Sequence, residues 1–153
     1  LLATEACDGL GIEWSHFVNY ANDIIQVLNQ GVQGWVDWNM VLDMKGGPSW
    51  AHTVVDAPIR VSDSGEEYYK LPIYYAMGHF SKFIAPASVR LGFHTVHSTA
   101  GVEATVFERP DKSVVTTVLN RNARAVSVRI HDAKRGYLTV EAEANSMTSM
   151  IWY

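Results

Sequence analysis

The sequence has little cysteine, no cluster of positive charge and no long apolar run. Cys7 is the only cysteine among 153 residues, so these residues form neither an internal disulfide nor a cysteine-based zinc site. The 12 Lys and Arg residues are outnumbered by 16 Asp and Glu residues, and the net charge is -4. We therefore expect no nucleic-acid partner. No apolar run approaches the roughly 18 residues of a membrane span, so we expect no transmembrane segment.

The sequence does contain enough apolar surface for a packed core. Hydrophobic residues make up 48% of the chain and charged residues 18%, a balance that argues against disorder. The chain opens with Leu-Leu-Ala-Thr and has no initiator Met or signal-peptide pattern. An apolar run without alternation is typical of a strand buried on both faces. A chain that starts inside a core strand is expected to be a fragment of a longer protein.

Residues 1–39 show the pattern of a strand–helix–strand unit. Gly31 is a helix stop signal, and residues 34–39 predict a second short strand. This order is typical of parallel sheets and barrels. Between Trp14 and Gln30, apolar residues recur at spacings of three and four, as on one face of an amphipathic helix: Phe17, Tyr20, Ala21, Ile24, Ile25 and Leu28.

Residues 40–70 carry many turn signals, such as Gly-Gly-Pro at 46–48 and Asp-Ser-Gly at 63–65. They predict a loop excursion with a small antiparallel hairpin formed by residues 54–55 and 59–61. A helix is predicted over 72–84, with Pro72 near its first turn, and a domain boundary at Pro86.

From residue 87 onward, the apolar pattern changes to a period of two. Alternating runs at 114–119 and 126–130 are separated by polar turns, which predicts an antiparallel β-sandwich over 87–153. We expect this sandwich to be incomplete, because small domains bury a low fraction of their surface. The predicted fold class is α/β followed by all-β.

Polar and aromatic residues follow both predicted strands of the first part. Glu5 lies at a strand end, where a carboxylate can be a nucleophile, a general base or a metal ligand, or can simply pair with a base. Cys7 either lines the same pocket or fills space. Near the second strand end, Trp38 is typical of a sugar-stacking side chain, while Asp37 and Asn39 can bind sugar hydroxyls.

Other aromatic and imidazole side chains carry weaker signals. Alternation puts Trp35 on the face opposite Trp38, so either indole can belong to the core instead. His94 and His97 face opposite sides of a strand and make a poor metal pair, and His79 is predicted to be packed in the structure. We predict no metal site and no cofactor.

Four sequence blocks in register resemble glycoside hydrolase family 30. They are Leu-Leu-Ala-Thr-Glu-Ala-Cys at 1–7, Gly-Trp-Val-Asp-Trp-Asn at 34–39, Gly-Gly-Pro-Ser-Trp at 46–50 and Gly-His-Phe-Ser-Lys-Phe-Ile at 78–84. The resemblance implies the C-terminal part of a (β/α)8 TIM barrel over residues 1–86, with the β excursion at 40–70, followed by the sandwich.

The resemblance implies a retaining β-glucosidase that hydrolyses glucosylceramide or a related β-glucoside in sphingolipid metabolism. It also implies that Glu5, which matches the family's nucleophile, has that role, that Trp38 lines the glucose pocket and that Cys7 lies near the substrate. Family members have an Asn-Phe pair where this chain has Thr53 and Val54, so the preference for the leaving group or lipid is expected to differ.

The family's acid/base glutamate lies on the fourth barrel strand and has no counterpart among these residues. The chain alone is therefore expected to be inactive and poorly folded. The resemblance also implies a lysosomal or secreted location, where an exposed thiol is a liability and Cys7 is expected to be buried. It allows an activator protein and peripheral membrane contact. The alternative is a non-catalytic carbohydrate- or partner-binding sandwich module, or an inactive truncated homologue.

Overall fold

The order of elements separates a mixed α/β part from an all-β part. The computed structural model describes residues 1–153 and divides them into two units, residues 1–78 and 79–153. The first contains β1 (Ala3–Ala6), α1 (Trp14–Asn29), β2 (Trp35–Asp37), β3 (Val41–Asp43), β4 (Ile59–Val61), β5 (Tyr68–Lys70) and the start of α2 (Pro72–Ser81). The second contains β6 (Val89–Arg90), β7 (Val102–Glu108), β8 (Val114–Asn120), β9 (Val126–Asp132), β10 (Gly136–Ala142) and β11 (Ser146–Trp152).

The predicted strand–helix–strand unit is confirmed. β1 and β2 pair in parallel, and α1 connects them. The helix ends just before Gly31, whose φ of 86° is easily reached only by glycine. Leu28 is half-buried, and the other predicted apolar positions are buried: Phe17, Tyr20, Ala21, Ile24 and Ile25.

The prediction that the first strand is buried on both faces is wrong. Leu1 and Leu2 are 87% and 59% exposed, and the middle of β1 is exposed as well. A strand is covered on both faces only where it has neighbours on both edges and helices on both sides. Here β1 pairs with β2 alone.

An antiparallel hairpin exists within residues 40–70, but it is not the predicted one. β4 pairs with β5 across the turn that contains Gly65, and β3 pairs with β4 in parallel. Residues 54–55 form no strand, so this part of the prediction is wrong. The next residue, Asp56, donates its backbone N–H to the carbonyl oxygen of Asp8 at 3.1 Å, which directs the chain away from a hairpin.

The second unit is an antiparallel sandwich of two sheets. The larger sheet has the order β11-β8-β7-β6, and the smaller consists of β10 and β9. All seven residues of β8 are buried, because this strand has a partner on each edge. Asn120 at its end donates through Nδ2 to the carbonyl oxygens of Arg124, Ala142 and Glu143, each at 2.9 Å. This side chain links β8 to the chain segments at the ends of the smaller sheet.

His79 is packed in the structure, as predicted. Its Nδ1 lies 2.9 Å from the hydroxyl of Ser149, which lies 3.0 Å from the hydroxyl of Thr117. Burial lowers the pKa of His79 below its ordinary value. Neither α1 nor α2 has the length and apolar character needed to cross a membrane.

Candidate active site

Glu5 lies in a local irregularity of β1. Ala3 pairs with Trp35 and Ala6 pairs with Asp37, so β1 holds one residue more than β2 over this span. Glu5 has a φ of 66°, in the left-handed region that residues other than glycine rarely adopt. An extra residue of this kind bends a strand and redirects a side chain, and such features are frequent next to active sites.

An open groove of about 400 Å³ lies beside Glu5. The end of β1, one face of α1 and the start of β2 provide its lining: Glu5, Ala6, Cys7, Asp8, Asn19, Tyr20, Asp23 and Trp35. Glu5 and Cys7 therefore share one groove. The structure does not place Trp38, Asn39, Thr53 or Val54 in its lining.

The prediction that Cys7 is buried is wrong. The thiol is free and exposed. The reason is the same as for the exposed leucines at the chain start: β1 has one neighbouring strand, so the residues at its end face an open groove rather than a closed barrel interior.

The end of β2 presents two different faces. Trp35 contacts α1, since its ring meets that of Tyr20 edge-on at 5.3 Å and its Nε1 donates to Asp23 at 2.6 Å. Trp38 is 53% exposed, and its backbone N–H donates to the carbonyl oxygen of Ala6 at 2.9 Å. The indole of Trp35 is therefore packed against α1, whereas the indole of Trp38 is open to contact with a ligand.

Asp37 faces α1. Its Oδ1 accepts hydrogen bonds from the hydroxyl of Tyr20 and from the backbone N–H of Trp38, each at 2.9 Å. Its Oδ2 is buried and has no hydrogen-bond partner. Burial raises the pKa of Asp37, against the opposing effect of its two donors. Burial and the neighbouring Asp37 carboxyl group also raise the pKa of Tyr20.

One polar face of α1 supports both strand ends. Asn19 donates to Asp8 at 3.0 Å, while Tyr20 and Asp23 contact Asp37 and Trp35 as described above. The four residues of this face, called the polar stripe below, are His16, Asn19, Tyr20 and Asp23. The polar stripe is not among the predicted site residues, although its spacing of three, four and seven residues is that of one helical face.

A buried charge cluster lies behind Asp8. Asp56 is fully buried and forms an ion pair with Arg60 at 2.7 Å. Nδ1 of His16 lies 3.5 Å from a carboxylate oxygen of Asp8 and 3.6 Å from one of Asp56. The pKa of Asp8 is lowered, chiefly by the hydrogen bond from Asn19. The cluster connects the segment after β1 to the loop before β4.

The loop at 46–54 is open to solvent. Trp50 is fully exposed and Val54 is 55% exposed. The backbone N–H of Thr53 donates to the hydroxyl of Ser49 at 3.2 Å, which stabilises the turn. Asn39 is half-buried directly after Trp38.

Three carboxyl groups line the groove, those of Glu5, Asp8 and Asp23, and the side chain of Glu5 is exposed. Asp8 has a lowered pKa and Asp23 accepts a hydrogen bond from Trp35. Asp37 has a raised pKa, but its carboxyl group faces Tyr20. A general acid must hold a proton at the working pH, which the lowered pKa of Asp8 disfavours.

Two family profiles match the sequence in order along the chain. The glycosyl hydrolase family 30 TIM-barrel domain matches residues 1–84, and the glycosyl hydrolase family 30 beta sandwich domain matches residues 88–150. Curated relatives include putative glucosylceramidase 3 of Caenorhabditis elegans, 37% identical over 161 aligned positions, and lysosomal acid glucosylceramidase of Mus musculus, 38% identical over 161. Each alignment covers 99% of this chain but only 30% and 31% of the respective relative.

Solved structures show the same fold. SrfJ from Salmonella typhimurium superposes with a TM-score of 0.90 at 23% identity, over 99% of this chain and 34% of that one. The endo-beta1,6-glucanase BT3312 gives 0.85 at 21% identity, over 99% and 35%. The predicted fold class, the C-terminal part of a TIM barrel followed by an antiparallel β-sandwich, is confirmed. With both family 30 profiles matched in order, the chain belongs to glycosyl hydrolase family 30.

Proposed function

We propose that this chain carries the nucleophile of a retaining β-glucosidase that acts on glucosylceramide or a related β-glucoside. The observation that carries the proposal is the position of Glu5. It is an exposed carboxylate on an irregular, left-handed residue at the carboxyl end of a parallel strand, beside an open groove. The curated relatives named as glucosylceramidases support the substrate class.

In this proposal, Glu5 attacks the anomeric carbon of the glucoside. The glycosidic C–O bond breaks, the departing oxygen takes a proton from a general acid, and a covalent glycosyl-enzyme forms. The same acid/base then removes a proton from water, which attacks the anomeric carbon and releases Glu5. Retaining enzymes hold the two carboxyl groups about 5–5.5 Å apart. Because none of these residues matches the family's acid/base glutamate, we infer that the acid/base lies outside residues 1–153.

The roles that we propose for the remaining site residues rest on their exposure and on the chemistry of their side chains. The exposed indole of Trp38 is available to stack on the apolar face of glucose, and Asn39 beside it provides an amide for the hydroxyls. Cys7 lines the groove with Glu5. Thr53 and Val54, both exposed, contact the leaving group and alter its preference relative to the family's Asn-Phe pair.

We further propose a lysosomal or secreted location and a lipid glucoside as the natural substrate. The support is the likeness to the mouse enzyme named as lysosomal. Peripheral contact with a membrane, and an activator protein that presents the lipid, fit such a substrate.

The alternative function, a carbohydrate-binding sandwich module, finds less support in the second unit. Tyr137 is an exposed aromatic residue of its smaller sheet, at 65% exposure. Its ring stacks on His131 at 4.4 Å and lies under the guanidinium of Arg129 at 4.4 Å. These contacts compete with a sugar for the ring surface.

The test uses the full-length gene product that contains this chain. Hydrolysis of a fluorogenic β-glucoside should be lost in Glu5→Gln and kept in Glu66→Gln, which changes an exposed glutamate in the turn between β4 and β5. The isolated 153-residue chain should show no turnover. Unchanged hydrolysis in Glu5→Gln, or turnover by the isolated chain that depends on Glu5, would contradict the proposal.

A further inference from the structure

We infer that Tyr20 and Asp37 form a positioning pair that fixes the relative placement of Glu5 and Trp38. The inference rests on the proposed function, because it concerns the same site. The sequence pattern indicates that Asp37 can bind a sugar hydroxyl. It places Tyr20 on the apolar face of α1 and predicts no other role for it. The geometry points to a different division of work, in which both side chains act by positioning the residues that bind the substrate.

The pair connects three elements through a short chain of hydrogen bonds. Tyr20 donates from α1 to Oδ1 of Asp37 at the end of β2, at 2.9 Å. The same oxygen accepts the backbone N–H of Trp38 at 2.9 Å, and that N–H is also shared with the carbonyl oxygen of Ala6, again at 2.9 Å. Ala6 directly follows Glu5. One carboxylate oxygen therefore links the helix, the stacking residue and the strand that carries the nucleophile.

The direction of the Asp37 carboxyl group argues against direct sugar binding. It shares the α1-facing side of β2 with Trp35, whereas Trp38 lies on the exposed side. Its Oδ2 is buried, and Tyr20 itself is only 4% exposed. A sugar hydroxyl that reached Oδ2 would have to enter the space between β2 and α1.

The left-handed backbone of Glu5 needs support from its surroundings, and the pair contributes to that support. A left-handed non-glycine residue persists only where its surroundings determine it, and β1 has no strand other than β2 to provide this support. The Ala6–Trp38 hydrogen bond ties the residue directly after Glu5 to the end of β2. Tyr20 and Asp37 orient the Trp38 end of that contact, so small movements of Asp37 are transmitted to both functional side chains.

The test compares three variants in the full-length gene product. Tyr20→Phe keeps the ring and removes one hydrogen bond to a carboxylate, so kcat/KM for a fluorogenic β-glucoside should fall about 10-fold. Asp37→Ala should lower kcat/KM about 100-fold, mainly through kcat, because it also removes one of the two acceptors of the Trp38 N–H. Asp37→Asn keeps an Oδ1 that accepts both hydrogen bonds, and should stay within about 3-fold of wild type.

A double variant and two controls complete the design. Tyr20→Phe combined with Asp37→Ala should be no worse than Asp37→Ala alone, because both changes break one unit. Tyr75→Phe alters an exposed tyrosine of α2 and Asp63→Asn an exposed turn carboxylate; both should leave kcat and KM unchanged. If Asp37→Ala does not fold, Tyr20→Phe decides the question, since it changes no side-chain volume in the core beyond one oxygen.

Two results would overturn the pair while leaving the proposed function intact. In the first, Asp37→Asn is as damaging as Asp37→Ala and Tyr20→Phe is silent, which means that Asp37 binds the sugar directly. In the second, the variants lower the melting temperature but leave kcat and KM unchanged, which means that the pair is only structural. A wild-type protein without β-glucosidase activity would overturn the proposed function, and the pair with it.

Discussion

Strands β1 and β8 show how differently the two units use their backbone. β8 has a partner on each edge, keeps a regular register over seven residues and is buried throughout. β1 has one partner, contains an irregularity and places Glu5 at a φ of 66°. Regular pairing gives β8 its stability. The departures from regular pairing in β1 occur at the residue that we propose as the nucleophile, in keeping with the tendency of functional sites to violate local rules.

Both units contain buried polar atoms without a hydrogen-bond partner, and Asn120 in the second unit shows the opposite case. Asn120, at the end of β8, uses its amide N–H groups on three carbonyl oxygens. In the first unit, one carboxylate oxygen of Asp37 and one of Asp56 are buried without a hydrogen-bond partner. Such groups lower the free energy of unfolding, and the second unit holds two of them as well, Oγ1 of Thr105 and Nε of Arg109.

The largest effect on stability is expected from Arg60→Ala. The change leaves the fully buried Asp56 without its cation, which typically costs about 3–5 kcal/mol. Thermal and urea unfolding of the full-length gene product measure the loss. Arg124→Ala, which removes an exposed arginine, is the matched control and should change stability by about 0.5 kcal/mol or less. Equal losses in both variants would show that the buried ion pair does not stabilise the first unit.

Asn120→Asp should destabilise the second unit by about 3 kcal/mol, because it places a carboxylate oxygen opposite three carbonyl oxygens. The control is Asn22→Asp, the same change at a half-buried position of α1. If Asn120→Asp unfolds no more readily than this control, the network at the end of β8 contributes little, and the contrast with the first unit fails.

Stability linked to His79 should depend on pH. Because burial lowers the pKa of His79 in the folded state, the unfolded state binds the proton more strongly. This contribution is present above the ordinary imidazole pKa of about 6.5 and is lost as the pH falls from there through the lowered folded-state pKa. Unfolding of wild type and His79→Gln across pH 5–8 should show a steeper decline for wild type. Parallel curves would contradict the role of His79.

The smallest effect is expected from Lys112→Gly. Lys112 has a φ of 69° in the exposed turn before β8, nearly the same angle as Glu5. Glycine relieves the steric strain there, and we expect a gain of about 0.5 kcal/mol in the free energy of unfolding, with activity unchanged. A free energy of unfolding that is unchanged or lower would contradict the strain at this position.

Periodicity in the sequence predicted most of the elements. The three- and four-residue spacing of α1 and the two-residue spacing of the sandwich strands depend on local geometry, and both are confirmed. The exposure of Leu1, Leu2 and Cys7 was not predictable in this way, because it depends on which strands border β1. Turn signals lie on both sides of β4, so the sequence alone does not determine which neighbouring segment forms the hairpin with it. Tertiary contacts of Asp56 decide between the two segments.

The candidate site was only partly visible in the sequence. The apolar run before Glu5 indicates a strand end, whereas its left-handed backbone is a feature that no residue pattern indicates. The polar stripe on α1 has regular helical spacing, but its partners Asp8, Asp37 and Trp35 lie at strand ends distant in sequence. Only the fold shows that Tyr20 and Asp37 meet.

The most direct test of the account is to map a covalent label. A cyclophellitol-type inhibitor, which traps the nucleophile of retaining β-glucosidases, is added to the full-length gene product, and the labelled peptide is identified by mass spectrometry. The account predicts one label per chain, on Glu5, and none in Glu5→Gln. A label on Asp8, Asp23 or any other residue would contradict the central claim, as would an unlabelled wild-type protein that still hydrolyses β-glucosides.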